Sequence, residues 1–525
     1  MADPKAFPCD AGAIRSSPSV PVCVRRRTWV LTAAVLGSTL AFVDRSVVNV
    51  ALPAMEGYLR TSLVAMQWVV NAYTLCMAAL LLLGGAMADQ FGRRLMFIVG
   101  VSVFAVASIG CGLAPDVQML IAARAIQGTG AALLIPCSLA LIGAAFDERD
   151  RGVAIGIWAG ASAIAAGVAP LLGGWLVDHT SWRVIFLINP FVAVPTLWIA
   201  VRRVPESRNP DAPRGVDWRG ALLAVIGLGS LVYGLISSST LGWGHILVIG
   251  SLAAGTALLV GFVLAESARS SPMMPPELFR SRRFSGVNLL TLLLYGALGA
   301  AFFFLPFLLI QARGYSATAA GAAYLPFTLL VGVLSRYSGR LGDRIGARWP
   351  LISGPVLAAA GFALLGSGRG SYWITLASMT VLGLGMGIAV APLTTTVINA
   401  VSPDRTGVAS GINNAVASVG GLLVIAVLGS VALGTFNHSL DRDLASAHAS
   451  SAVQATVDSA RGGLVLPPMP ASLPAPERQE ARAIITGALT ITVRVSMWIA
   501  ALLALAAALT AALTIQEDWR PRGAH

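Results

Sequence analysis

Residues 41–53, AFVDRSVVNVALP, set a carboxylate and a guanidinium side by side, Asp44 and Arg45, inside an apolar run. A charge at the centre of a hydrocarbon layer costs about 3 kcal/mol or more, so one kept there has a use. A lone carboxylate in such a place can take up and release a proton, and a guanidinium can pair with it. Two more arginines, Arg124 and Arg494, lie deep in apolar runs. Asp44 is the one acidic residue read as well inside any run, and Glu266 stands at the end of one. The five histidines and five cysteines form no H-E-x-x-H, C-x-x-C or other metal spacing, and no G-x-x-x-x-G-K-[ST] loop occurs. No metal, nucleotide or other cofactor is called for, and no nucleophile-base arrangement supports an enzyme.

The elements that must position these residues follow from composition. Of 525 residues, 56% are hydrophobic and 11% charged, with a mean hydropathy of +0.77. A soluble globular chain has about 25% charged residues. Apolar stretches of roughly 20 residues recur, each long enough as a helix to cross a ~30 Å hydrocarbon core. Fourteen spans are expected, at 29–52, 67–87, 95–113, 117–144, 152–177, 184–201, 218–238, 245–265, 285–310, 317–338, 350–367, 372–399, 406–433 and 486–515. The expected fold is an all-α polytopic membrane protein. With the N-terminus cytoplasmic and the spans alternating, 25 of the 36 Lys and Arg fall inside and 8 outside, while Arg45, Arg124 and Arg494 are embedded. This positive-inside asymmetry places both termini in the cytoplasm. It also accounts for the net charge of +12, so no nucleic-acid partner is implied. Cys9 and Cys23 fall in the N-terminal tail and Cys76, Cys111 and Cys137 in spans, which is no disulfide framework.

The chain repeats itself. GGAMADQFGRRL (84–95) and GRLGDRIGAR (339–348) share the form G-x-x-x-D-x-x-G, aligning Gly85 with Gly339, Asp89 with Asp343 and Gly92 with Gly346. Arg93 and Arg344 stand nearby, placed to pair with a neighbouring helix end. Glycine permits the tight turn, and the Asp is expected to accept hydrogen bonds at a helix start. Each copy follows the second helix of a half, which implies two six-helix halves, spans 1–6 and 9–14, with two inserted central helices. The expected division is a cytoplasmic tail (1–28), a first bundle (29–201), a linker (202–217), the inserted pair (218–265) and a second linker (266–284). A second bundle (285–515) with an outer loop (434–482) and a tail (516–525) complete it.

This arrangement resembles the major facilitator superfamily, whose halves rock about a site at the bilayer midplane. Residues 84–95 are similar to its loop 2–3 motif, G-x-L-A-D-R-x-G-R-R, with Met87 for Leu and Gln90 for Arg. LIAARAIQGTGAA (120–132) is similar to its span 4 motif, with Arg124 at the membrane arginine. FVDRSVVNVALP resembles L-D-x-T-x-V-N-V-A-L-P, the span 1 motif of the fourteen-helix drug:proton antiporter branch (EmrB/QacA-type). SWRVIFLINP (181–190) and PDRTGVASGINNAVASVGG (403–421) resemble that branch too, and the resemblance covers about residues 28–515. AIAAGVAPLLGG (163–174) is a weakened form of the glycine-rich Gly-Pro stretch of span 5, with Ala165 and Ala169 at glycine sites. Pro170 can still kink that span, and Gly173 and Gly174 still allow close packing.

The resemblance implies a proton-coupled exporter of small hydrophobic or amphipathic compounds or drugs, working by alternating access in a bacterial cytoplasmic membrane. A substrate-selective exporter or a proton symporter for one metabolite, on the same fold, is the alternative. Asp44 and Arg124 are the expected proton-coupling pair. Asp44 lies 17 residues after Arg27, and Arg124 lies 8 after Asp116, or about 25 Å and about 12 Å along oppositely directed helices. They thus reach similar depth. Adjacent helix positions point about 100° apart, so Arg45 and Arg124 cannot easily serve one face. Arg45, Asn49, Gln127 and Arg494 are expected around the cavity, with Tyr295, Phe302, Phe303, Phe304 and Met386 as lining. Asp89, Arg93, Asp343 and Arg344 are expected to latch one state and release in the other. The expected partners are the substrate, protons and the bilayer, and the chain is expected to act as a monomer. The outer loop is either a solvated tether or a dock for a periplasmic adaptor subunit, and LPPMPASLPAPERQEA near its end reads as extended or disordered.

Overall fold

The computed structural model describes residues 24–208, 217–269, 272–367, 371–402 and 405–515, without the side chains of 24–25, 148–149 and 340–345. Cys9, Cys23, the tail at 516–525 and residues 209–216 of the first linker therefore lie outside the described residues. Fourteen helices there are long and apolar enough to cross a membrane, and they are numbered spans 1–14 in order. They are Arg26–Leu59, Leu63–Phe91, Arg93–Leu113, Val117–Ala145, Asp150–His179, Val184–Arg203, Trp218–Leu241, Ile246–Ser267, Arg282–Ala312, Ala317–Gly339, Arg348–Gly366, Tyr372–Asn399, Thr406–Ala447 and Ala475–Thr514. The chain is a multi-pass membrane protein.

Several helices outrun their apolar stretches. Span 1 continues through Pro53 to Leu59, span 13 runs to Ala447 and span 14 starts at Ala475. A helix pairs its interior backbone groups in water as well as in lipid, so hydropathy marks the slab and not the helix termini.

The two six-helix halves repeat one packing plan. Span 1 packs on spans 5 and 6, spans 2 and 3 pack on span 4, and span 3 packs on span 6. In the same pattern, span 9 packs on 13 and 14, spans 10 and 11 on 12, and span 11 on 14. Bare glycines make this possible, because without a hydrophobic drive between helices in lipid, close backbone contact holds them together. Gly100 faces Gly130 across spans 3 and 4, and at the corresponding place Gly354 faces Gly385 across spans 11 and 12. The halves meet where span 2 touches span 13 and span 5 touches span 10, while inserted span 7 lies against spans 2 and 13 and carries span 8.

An even number of spans brings both described chain ends to one end of the bundle. The opposite end carries the connection between spans 13 and 14, which is folded and not the solvated tether expected; of the stretch expected to be extended, 466–481, the part from Ala475 on is helical. Ser450 accepts the Val453 N–H and caps the helix Ser451–Asp458. Val453, Val457, Leu464 and Leu473 are buried and anchor the segment in the core. Leu464 N–H donates to Glu56 (2.8 Å), Leu63 N–H donates to the Gly462 carbonyl (3.0 Å) and Leu466 N–H donates to Gln311 Oε1 (3.2 Å). The segment thereby ties spans 1 and 2 to span 9. Glu56 is a second buried acidic residue on span 1, passed over because the apolar run ends before it.

Candidate functional site

Asp44 leaves the middle of span 1 and enters the interior of the first half, where it is fully buried. Arg124 Nη1 donates to Asp44 Oδ2 at 2.5 Å and to Gln127 Oε1 at 2.6 Å. Arg124 and Gln127 are three residues apart on span 4 and so share a face. Gln127 Nε2 donates to Asp44 Oδ1 (2.8 Å) and to Ser108 Oγ of span 3 (2.7 Å). Asn189 Nδ2 of span 6 reaches the same two oxygens, at 3.1 and 3.2 Å. Arg124 Nε donates to the Val69 carbonyl of span 2 (3.1 Å), and its guanidinium lies 4.3 Å from the Tyr73 ring centre. Gly128 sets this last contact, since a Cβ there would stand 2.3 Å from the Tyr73 carbonyl. Only a glycine lets spans 2 and 4 come so close.

The carboxylate therefore accepts three hydrogen bonds and one full counter-charge, in a site closed to water. Chemically it can do one thing: change its proton, and with it its hold on Arg124. Sequence reasoning paired Asp44 with Arg124 and named Gln127. It passed over Ser108, Asn189 and the Val69 carbonyl, although Asn189 is polar within an apolar run.

Other expected residues lie elsewhere. Arg45 is exposed and turned toward the second half, where its Nη2 stands 4.0 Å from the Cβ position of Gly421. Asn49 is half-buried one turn on, its Nδ2 3.5 Å from the Arg45 carbonyl. Arg494 Nε donates to the Gly366 carbonyl at the end of span 11 (3.1 Å), apart from the Asp44 cluster. Phe303, Phe304 and Met386 are core residues, while Phe302 and Tyr295 are half-buried and Phe302 packs edge-on against Tyr324 and Phe327.

On span 5, the Pro170 carbonyl meets Gly321, Gly174 meets the Ala317 carbonyl and Gly173 meets Val47. Asp178 accepts the N–H groups of Ala317 (3.0 Å) and Thr318 (2.7 Å). All but the Gly173–Val47 contact, which lies within the first half, clasp the halves at the end that carries residues 448–474. Nearer the other end, Gly152, Gly156 and Gly160 have open space beside them.

The loop motif departs from expectation in one respect. Glu206 of the linker, and not Asp89, caps the start of span 3, its Oε1 and Oε2 accepting the N–H groups of Arg94 (3.0 Å) and Leu95 (3.1 Å). Asp89 sits in the last turn of span 2, too far back to cap span 3, and pairs with Arg93 at 2.8 Å. Gly92 has φ 122° and a Cβ on it would lie 2.7 Å from the Glu206 carboxylate, so glycine serves the turn and the cap together. Gly346 turns similarly, with φ 83°. Gly85 and Gly339 make ordinary contacts with Pro136 and Ala391. The side chains of Asp343 and Arg344 lie outside the described residues.

The sequence profile of the Major Facilitator Superfamily matches residues 34–425. This chain belongs to that family. The facilitator chain is 36% identical over 426 residues to the multidrug resistance protein Stp of Mycobacterium tuberculosis, covering 80% of this chain and 78% of that protein. It is 34% identical over 414 residues to the tetracenomycin C resistance and export protein of Streptomyces glaucescens (77% and 76% covered). It is 36% identical over 407 residues to the methylenomycin A resistance protein of Bacillus subtilis (77% and 87% covered). Among solved structures, the inward-facing, occupied bacterial homologue of the human lysosomal transporter Spinster superposes with a TM-score of 0.64 at 18% identity, over 95% of this chain and 97% of that one. That likeness speaks to the fold. Membership of a transporter family sets the enzyme reading aside.

Proposed function

We propose that this facilitator is a proton-coupled exporter of small hydrophobic or amphipathic compounds. In this reading it works as a monomer by alternating access in a bacterial cytoplasmic membrane. Both termini face the cytoplasm and residues 448–474 face outward, as the arginine asymmetry suggests. Its relatives' names, which cite multidrug resistance, tetracenomycin C and methylenomycin A, support the compound class.

The observation that carries the coupling is the closed cluster around Asp44. A proton on Asp44 cancels its attraction for Arg124 and turns an acceptor into a donor facing the guanidinium. Span 1 then loses the ionic part of its tie to span 4 and keeps the Gln127 amide. Span 1 also leans on span 5 through Val47 and Gly173 and touches span 9, so its position bears on the angle between the halves. One carboxylate carries one proton, which limits this site to one per cycle.

The test is Asp44→Asn in proteoliposomes. The variant should insert and bind substrate, yet lose transport driven by a pH gradient, while Asp44→Glu keeps part of it. Uphill transport by the Asn variant equal to the parent's would remove Asp44 as the coupling group. Failure to accumulate in the membrane would favour a purely structural pair.

A further inference from the structure

Arg45 follows Asp44 in sequence and faces the opposite way. No ion pair or hydrogen bond reaches its guanidinium among the described residues. It is nevertheless exposed, which is unusual for an arginine some 20 residues into a span and surrounded by protein. The exposure is internal. The Gly421 backbone of span 13 faces its Nη2; half-buried Tyr295 of span 9 is nearby, as is Tyr73 of span 2, whose ring is buried against Arg124. Tyr73 belongs to the first half, whereas Gly421 and Tyr295 belong to the second. Arg45 therefore stands in a water-reachable space between the halves.

The charge balance there is lopsided. Asp44 is the acidic group nearest in sequence, but Arg124 and two amides already occupy it. The space between the halves is left with an unneutralised guanidinium near the Tyr295 phenol. An arginine kept at such depth, facing the space between the halves and not lipid, is by default a functional candidate. Its planar fork of donors fits a carboxylate through two parallel hydrogen bonds, and the half-buried Tyr295 ring offers an apolar face to the body that bears it.

We infer that Arg45 is an anion-recognising subsite of the space between the halves, which selects amphipathic monoanions, a carboxylate on a flat apolar body, over their neutral counterparts. This rests on the exporter reading for its purpose, but not for its measurement.

The probes are pyrenebutyrate and its methyl ester, which differ in one charge. Both are titrated against the full chain in lipid nanodiscs without a gradient, read by tryptophan-to-pyrene energy transfer and corrected with empty nanodiscs. The protein should bind the carboxylate about tenfold or more tighter than the ester. Arg45→Gln should bring that ratio to about one while leaving the ester Kd within about twofold. Arg45→Lys, which keeps the charge but not the fork, should retain part of the preference. A parental ratio near one overturns the proposal even if Arg45→Gln does not accumulate. So does an Arg45→Gln variant that keeps the preference or weakens both probes equally. Asp44→Asn, which leaves Arg124 uncompensated, should hold or raise this ratio while it loses gradient-driven transport, so the two readings fail separately.

Discussion

Replacing either member of the Asp44–Arg124 pair should expose how much the buried charges depend on each other. In Asp44→Asn the guanidinium keeps the Gln127 and Val69 oxygens and the Tyr73 ring. It loses its counter-charge, however, and an amide N–H can then face Nη1. In Arg124→Gln, Asp44 keeps the amides of Gln127 and Asn189, and a carboxyl can become neutral by binding a proton. A guanidinium has no such escape. Removing one partner of a buried pair costs about 3–5 kcal/mol, so Asp44→Asn should fall in that range and Arg124→Gln below it. With about 2–4 °C per kcal/mol for a unit of this size, Asp44→Asn should melt roughly 6–20 °C below the parent. The double variant, a cluster of neutral amides, should be no worse than the Asn single variant. The assay is thermal melting of purified protein in micelles with a thiol-reactive dye, since Cys111 and Cys137 are buried and become reactive on unfolding. If the single losses simply add, to within about 0.5 kcal/mol, the two side chains do not interact and the site described above is wrong.

Asp89→Asn, which breaks the pair with Arg93 at the turn between spans 2 and 3, should insert and bind substrate but turn over several-fold more slowly; lost binding with normal turnover at saturation would exclude a gating role. Ser450→Cys, on an exposed position of the 448–474 segment, should react with an impermeant maleimide in intact cells. Labelling only after lysis would invert the proposed orientation.

The spans, the halves and the Asp44–Arg124 pair were legible because each is a one-dimensional signal: apolar length, a repeated loop, and charges rare enough to count. The remaining members of the site were not. Ser108, Asn189 and the Val69 carbonyl matter through where spans 2, 3 and 6 lie around span 4, and glycine contacts such as Gly128 on Tyr73 set that distance. Glu206 was hidden for a similar reason. It reads as one charge in a polar linker, yet the chain returns it to the start of span 3, where the free N–H groups and helix dipole favour an anion. The outer connection reads as a tether because its Pro-rich stretch is conspicuous, whereas Val453, Val457, Leu464 and Leu473, which pack it onto the core, are scattered apolar residues with no period.

The neighbouring positions 44 and 45 also bear on how proton and substrate exchange. Protonating Asp44 leaves Arg124 uncompensated and adds one positive charge to the first half. For charges on the order of 10 Å apart at an effective dielectric constant near 20, that is worth about 1.7 kcal/mol to an anion at Arg45. Electrostatics alone would thus make proton and anion bind together, whereas an antiporter needs them to alternate. The opposition must come from geometry, and span 1 supplies it. Asp44 faces spans 4 and 6, Arg45 faces span 13, and one rigid helix cannot satisfy both faces while the halves change their angle. The membrane potential works in the same direction. An anion leaving and a proton entering move two charges the same way, at about 2.3 kcal/mol per charge per 100 mV. The combined drive of about 4.6 kcal/mol exceeds the cooperative attraction, so an anionic substrate can be exported by this arrangement without a second carboxylate.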